Sequence, residues 1–251
     1  MKTRKNLFVL LLPAVIILSV AVASCSKTAD VSTPDATASE LKETILLTGN
    51  FELTPRVSII NCIDTFPYEE LSEEEVEALL QMREEELMAH DVYAFAYALF
   101  PIPIFNNISK AETQHTEMVK LLIEKYELPD PGEGHQAGVF INQELQEAYN
   151  ELTDLADNSL IEGLTAGATI EDLDLFDLQN LLENVVDNQD VTWVFENLER
   201  GSRNHMRAFY RNLVFRGASY TPQYISQEYF DEIINSEHEP GFGGCGCLST
   251  L

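Results

Sequence analysis

The sequence predicts an all-α fold, a four-helix bundle with a long connection between its second and third helices. Three observations predict it. From residue 72 onward, apolar residues recur with the period of an α-helix, and little of the chain alternates as a strand does. Clusters of proline and glycine divide this pattern into four long segments. One long connection separates the second segment from the third, which matches a variant of the four-helix bundle with a long crossover.

The first helix is expected to begin directly after Ser72. The residues from Ser72 to Glu75 form a capping box, in which the hydroxyl accepts from a free backbone amide and Glu75 reaches back to the serine. The helix should continue to about Phe100, because Pro101 and Pro103 do not fit inside a helix.

The second helix is expected from about Asn107 to Glu127, where Pro129 and Pro131 end the pattern. The long connection that follows is rich in glycine and contains a short helix around Gln143–Ala156. The remaining elements are a third helix, a fourth helix and a short helix on the outside of the bundle, expected at Ser159–Val186, Asp190–Phe215 and Gln227–Ile234.

The first residues of the chain are typical of an exported protein. Basic residues at positions 2, 4 and 5 precede an apolar run over residues 7–22, and small residues then lead to Cys25. The run is short for a transmembrane anchor, which is the alternative interpretation. The stretch from Val22 to Cys25 resembles the lipobox of bacterial lipoproteins. This resemblance implies a signal peptide over residues 1–24, a lipidated Cys25 and a place in the cell envelope, at the outer membrane of a Gram-negative cell.

The rest of the chain divides into three parts. Residues 25–66 are expected to be a tether and an N-terminal segment, with a short strand within residues 56–63. Residues 67–217 hold the bundle, and residues 218–251 form a C-terminal extension that ends in a Gly/Cys tail. The pairing of the three remaining cysteines stays open, because their number is odd: Cys62, Cys245 and Cys247.

The charge of the chain excludes some partners. It has 42 acidic and 15 basic residues, and removal of the signal peptide would make the balance more acidic still. Nucleic acids and anionic lipid surfaces repel such a protein. We therefore expect no nucleic-acid partner and contact with the membrane through the lipid anchor only.

Polar residues of the metal-ligand type lie on the apolar, inward-facing side of every predicted bundle helix. They are Glu86 on the first, Glu112 and His115 on the second, Glu171 on the third and His205 on the fourth. An unpaired buried carboxylate costs several kcal/mol or stays protonated. A shared cation would remove that cost, and the three-residue spacing of Glu112 and His115 lets both meet one ion.

Together these residues resemble the ferritin-like diiron-carboxylate superfamily, with rubrerythrin-type domains as the nearest well-characterised comparison. The resemblance rests on the spacing from Glu86 to Tyr93, on the Glu112–His115 pair and on Glu171 in an acidic patch. It covers about residues 68–230. The sequence over residues 197–209 is similar to that of a branch of the superfamily with no assigned function. The resemblance implies iron or manganese, one or two ions per chain, with these ligands: Glu86, Glu112, His115, Glu171 and His205.

The fourth helix departs from the superfamily pattern. A second Glu-x-x-His motif is expected there, but Ser202 stands three residues before His205. Asp174, one turn after Glu171, is a candidate to replace the missing carboxylate. Tyr93, Ser202 and His90 are expected next to the ligands. Tyr93 would hydrogen-bond a ligand carboxylate or be part of the core, and His90 would add a nitrogen, support the ligands or lie at the surface. The departure leaves a single or asymmetric metal site as an alternative to a symmetric pair of ions.

Three functions remain open on the sequence. The first is a non-haem iron or manganese oxidase or peroxide scavenger that needs an external electron donor. The second is a non-catalytic metal-buffering protein, and the third is a structural or interaction lipoprotein with a degenerate metal site. Whether the chain forms a homodimer is also open.

Overall fold

The structure, a computed structural model, describes residue 59 and residues 62–240. All regular elements of this part of the chain are helices, which confirms the all-α class. They are α1 Glu73–Leu99, α2 Pro103–Lys125, α3 Gln143–Asn158, α4 Leu160–Asn184, α5 Gln189–Phe215 and α6 Gln227–Asn235. The predicted signal peptide, Cys25 and the tail with Cys245 and Cys247 lie outside the described residues.

The predicted capping box is present at the start of α1. The Ser72 hydroxyl accepts from the backbone N–H of Glu75 at 3.1 Å, and the Glu75 carboxylate accepts from the backbone N–H of Ser72 at 2.9 Å. The second Glu75 oxygen accepts from the backbone N–H groups of Asp187 and Asn188. One carboxylate therefore caps α1 and also joins it to the residues that lead into α5.

Two expectations about the early part of the chain are wrong. The second helix begins at Pro103 and not near Asn107, because proline at the first helical position loses no hydrogen bond and its ring favours the helical φ angle. The strand expected within residues 56–63 is helical at each position that the structure describes, residues 59, 62 and 63. Ile59 and Ile63, four residues apart, are both buried, which fits one face of a helix.

The four long helices pack in two pairs. α1 packs against α2, and α4 packs against α5, each pair joined by only a few residues. The pairs meet where α1 contacts α4 and where α2 contacts α5. The long connection runs from residue 126 to residue 159 and includes α3, which packs on α4 and α1. α6 packs against α5.

The buried apolar side chains form two clusters along these helices. One cluster contains Leu79 and Met82 of α1 with Leu122, Leu178 and Leu198 of the other long helices. The second lies further along α1 and contains Tyr93, Phe105, Leu164, Met206 and Phe209. On α1, α2 and α5, the polar residues singled out in the sequence stand between members of the two clusters. Among the described residues, no helix is both long enough and apolar enough to span a membrane.

Asp172 attaches the segment after α5 to α4. Its side chain is fully buried and accepts from the Tyr220 hydroxyl at 2.7 Å and from the backbone N–H of Ile225 at 2.9 Å. The backbone N–H groups of Gln223 and Tyr224 also donate to it. Because Asp172 follows Glu171, this anchor also fixes the rotation of α4 at the level of the polar cluster.

Replacing Asp172 by alanine should therefore destabilise the whole domain. The change leaves a buried hydroxyl and several backbone N–H groups without an acceptor, and we expect a loss of about 3 kcal/mol in the free energy of unfolding. Urea denaturation followed by circular dichroism measures it. The exposed Asp154→Ala is the control, and equal stability of the two variants would contradict the anchoring role.

Candidate metal centre

Five predicted ligand residues meet at one level of the four long helices. Each of these residues is at most 8 % exposed. The helices place them there because each lies between apolar residues that belong to the core. The five are Glu86 of α1, Glu112 and His115 of α2, Glu171 of α4 and His205 of α5.

Glu112 lies at the centre of this cluster. One of its oxygens is 2.8 Å from Nδ1 of His115, and the other is 2.9 Å from Nδ1 of His205. The two imidazole rings stack with their centroids 5.3 Å apart. One ligand-type atom from each of these three residues lies within 4.8 Å of the other two. Two imidazoles from different helices thus share one carboxylate.

The two remaining carboxylates extend the cluster on opposite sides. A Glu86 oxygen is 3.2 Å from Nδ1 of His115, and a Glu171 oxygen is 3.5 Å from Nδ1 of His205. Each imidazole nitrogen therefore faces two carboxylates, of which Glu112 is common to both. The arrangement consists of two similar halves, each with one histidine and one outer glutamate.

Two buried atoms of the cluster make no hydrogen bond. They are Oε1 of Glu86 and Nδ1 of His205. The His205 nitrogen lies near two carboxylates, but its direction does not suit a hydrogen bond to either. Buried polar atoms nearly always have a partner. Carboxylate oxygens and imidazole nitrogens that face a common volume are ligands of iron and manganese, so the donor set fits such an ion.

A small cavity adjoins the carboxylate side of the cluster. Its volume is about 10 Å³, room for about one water molecule or ion. Apolar residues of α1 and α4 line it together with five carboxylates. The carboxylates are those of Glu85, Glu86, Glu112, Glu171 and Asp174. Only very small molecules can therefore reach the cluster from this side.

Burial and mutual charge shift the pKa values of the cluster strongly. Burial alone would raise the pKa of Glu112, but the imidazoles of His205 and His115 outweigh it and hold that pKa well below its usual value. Burial raises the pKa of Glu86 to about 8 despite the opposing effect of His115. Burial would lower the pKa of His205, yet Glu112 and Glu171 raise it to about 10. Without a metal, protons supply the positive charge of the cluster.

The residues expected to support the ligands behave differently from one another. The Tyr93 hydroxyl is fully buried and donates to Glu171, and the Ser202 hydroxyl donates to Asp174. Asp174 itself lines the cavity one turn after Glu171. The structure does not bring His90 to the cluster, because its ring is paired with Asp91, 3.0 Å away, and is partly exposed.

Gly201 is a functional position that sequence reasoning missed. A Cβ atom at this position would overlap Nε2 of His115 and would lie 2.6 Å from its Cε1 atom. The ring of His115 therefore rests against the bare backbone of α5. The only signal in the sequence is a glycine inside a long helix, where it costs about 1 kcal/mol relative to alanine and so asks for a reason.

The comparisons with known proteins identify relatives of unassigned function. The model of the uncharacterized protein domain DUF2202 matches residues 75–237. The chain is 48% identical over 183 residues to the uncharacterized protein MJ0754 of Methanocaldococcus jannaschii. The matched region covers 73% of this chain and 98% of that protein. The crystal structure of that hypothetical protein superposes with a TM-score of 0.68 over 69% of this chain and 98% of the other.

Gly201→Ala should disturb the cluster without removing any ligand. The added methyl group forces the His115 ring or the whole of α5 to move, and overpacking of this kind costs about 1–3 kcal/mol. We expect a lower free energy of unfolding and weaker binding of added Mn²⁺. Gly163→Ala is the matched control, because it is the same change inside a long helix and its added Cβ would meet its nearest atom, of Phe105, only at 3.4 Å. Parent-like affinity in Gly201→Ala would contradict the close contact.

The metal-free protein should lose stability as the pH rises. The folded-state pKa of His205 is raised from 6.5 to about 10, so its stabilising contribution is complete below pH 6.5 and is lost as the pH rises through 10. The pKa of Glu86 is raised from 4.5 to about 8, and deprotonation of this buried carboxyl also destabilises the fold over that window.

Urea denaturation of chelator-treated protein at a series of pH values from 5 to 10 measures this dependence. We expect the free energy of unfolding to fall across the series, and to fall less when Mn²⁺ replaces the protons. A free energy of unfolding that rises with pH in the metal-free protein would contradict the protonation of the cluster.

Proposed function

This chain belongs to the family of the uncharacterized protein domain DUF2202, and we propose that it is a ferritin-like metal-binding protein. Its cluster of three glutamates and two histidines binds iron or manganese. The observation that carries the proposal is the position of Glu112, whose two oxygens each lie within 3 Å of an imidazole nitrogen from a different helix. Each of these two Nδ1 atoms also lies within 3.5 Å of a second carboxylate, that of Glu86 or Glu171.

The ferritin-like arrangement of the helices is part of this proposal. It is supported by the two helix pairs, α1 with α2 and α4 with α5, and by one long connection between them. In bundles of this kind the metal ligands project inward from all four helices. The five ligand residues here come from α1, α2, α4 and α5.

The donor set favours iron or manganese over other metals. Carboxylates outnumber imidazoles, and the cluster contains no thiolate, which zinc or copper sites often use. Glu86 and His115 would hold an ion on one side of Glu112, and Glu171 and His205 would hold one on the other. This arrangement supports up to two ions per chain, with Ser202 at the position where a second Glu-x-x-His motif would have its glutamate.

A bound iron or manganese ion supplies one-electron redox chemistry, and the chain itself restricts what can react. The ligands are almost completely buried and the adjoining cavity has room for about one small molecule, which favours dioxygen or peroxide as substrate over any organic molecule. Glu171 is held by the Tyr93 hydroxyl, so its orientation is fixed before any ion arrives. An external protein or small molecule would have to supply electrons.

A second candidate is a metal-buffering or structural lipoprotein without turnover. Ser202 favours it, because the ligand that completes a symmetric pair of ions is missing at this position. In either case the expected lipid anchor at Cys25 places the domain in the cell envelope, and this part of the proposal rests on the sequence alone. Consumption of oxygen or peroxide by the metal-loaded protein distinguishes the two candidates, since only the first predicts turnover.

Metal binding itself is tested by removing ligands from the centre of the cluster. We expect Glu112→Ala and His115→Ala to weaken Mn²⁺ and Fe²⁺ binding by about 100-fold or more, because loss of even a supporting residue costs about 10- to 100-fold. Equilibrium dialysis with elemental analysis measures the bound metal. Glu77→Ala and His238→Ala, at exposed positions, are the matched controls. Unchanged stoichiometry and affinity in both cluster variants would overturn the site.

A further inference from the structure

Glu85 is a buried carboxylate that the five-residue cluster does not use. It is 7 % exposed and lines the small cavity beside Glu86 and Glu171. Its Oε1 atom accepts from the side-chain amide of Gln81 at 2.6 Å, whereas its Oε2 atom is buried and has no hydrogen-bond partner. A buried acceptor without a partner costs free energy, and a bound proton or cation removes that cost.

Asp174 also lines this cavity and lies nearer the surface. It is partly exposed, in contrast to the almost completely buried glutamates that line the rest of the cavity. Asp177 lies one turn further along α4 and is 8 % exposed. Glu85 and Asp174 line the same cavity, and Asp177, three residues after Asp174, lies on the same face of α4.

Basic residues do not neutralise this group of carboxylates. α4 contains no lysine, arginine or histidine. On α1, the Arg83 guanidinium is paired with Asp130 and the His90 ring with Asp91. Among the ion pairs of the described residues, none includes Glu85, Asp174 or Asp177.

We propose that Glu85, Asp174 and Asp177 form the route by which a divalent cation enters the cluster from the surface between α1 and α4. The inference rests on the proposed metal-binding function. A cation that leaves water for a protein interior loses its hydration, and carboxylate oxygens along its path replace that hydration. Acidic residues in a low-dielectric cleft also raise the local concentration of cations and the rate at which they bind.

The test is the rate at which metal reaches the histidines. Metal-free protein is mixed with Co²⁺ in a stopped-flow instrument, and the visible absorption of Co²⁺ bound to nitrogen and oxygen ligands reports its arrival at His115 and His205. We expect Glu85→Gln to bind Co²⁺ about 10-fold more slowly than the parent, because an amide, unlike a carboxyl group, cannot give up a proton and become a charged ligand for the passing cation. The final absorbance should equal that of the parent, because the ligands are intact.

Two further variants make the result decisive. Asp177→Asn should slow loading in the same way, and it decides the question if circular dichroism shows that Glu85→Gln does not fold. Glu77→Gln removes an acidic charge from an exposed position of α1 and should load at the parent rate. Parent-like rates in both Glu85→Gln and Asp177→Asn would overturn the route while leaving the metal site in place.

The remaining outcomes also separate the two proposals. If the parent itself develops no Co²⁺ absorption, the metal site fails and the route fails with it. If Glu85→Gln loses part of the final absorbance and not only rate, Glu85 is a resident ligand, and the entry route is wrong. Slow loading with full absorbance is the result that supports the route.

Discussion

The burial of several carboxylates at one level of the helices is the constraint on which this structure depends. Three glutamates reach the centre of the domain, where a lone charge would cost several kcal/mol. Two protonated imidazoles lower the free-energy cost of burying these carboxylates, and a metal ion would lower it further. Apolar clusters lie on both sides of this level, so the charged layer cannot move along the helix axes without burying a carboxylate among leucines.

The rest of the fold holds each helix at the rotation that this layer requires. Glu75 joins the beginning of α1 to the residues before α5, and Asp172 anchors the segment after α5 to α4. Both are themselves buried carboxylates, but each accepts hydrogen bonds from several backbone N–H groups and needs no ion. The chain thus uses acidic residues in two ways. Those satisfied by backbone donors fasten elements together, and those that face one another form the candidate metal centre.

The sequence predicted the elements better than the details of the centre. Helix starts with local signals, such as the capping box at Ser72, could be located closely, because side chain and backbone lie within one turn. The start of α2 was misplaced, since Pro103 serves equally well to end one helix or to begin the next. The pattern over residues 56–63 predicts a strand although residues 59, 62 and 63 are helical, because so short an apolar run fits either period.

Contacts between helices were beyond the sequence. Periodicity brought Glu86, Glu112, His115, Glu171 and His205 to the inward faces, and the structure gathers those five. It could not show that Glu112 lies between two rings, or that Glu85 reaches the same cavity from the neighbouring position on α1. Those facts depend on how far each helix is rotated and on how closely α1 approaches α4. The residue pattern of a single helix determines neither quantity.

The contact between His115 and Gly201 makes the imidazole a spacer between α2 and α5. The spacing of the two helices and the position of the imidazole are therefore coupled, because the ring occupies the space that a Cβ atom at residue 201 would need. A protein engineer who wished to alter the proposed metal centre would therefore have little freedom at this histidine. The adjustable positions would be the apolar contacts that set the spacing of α2 and α5, far along the helices from any donor atom.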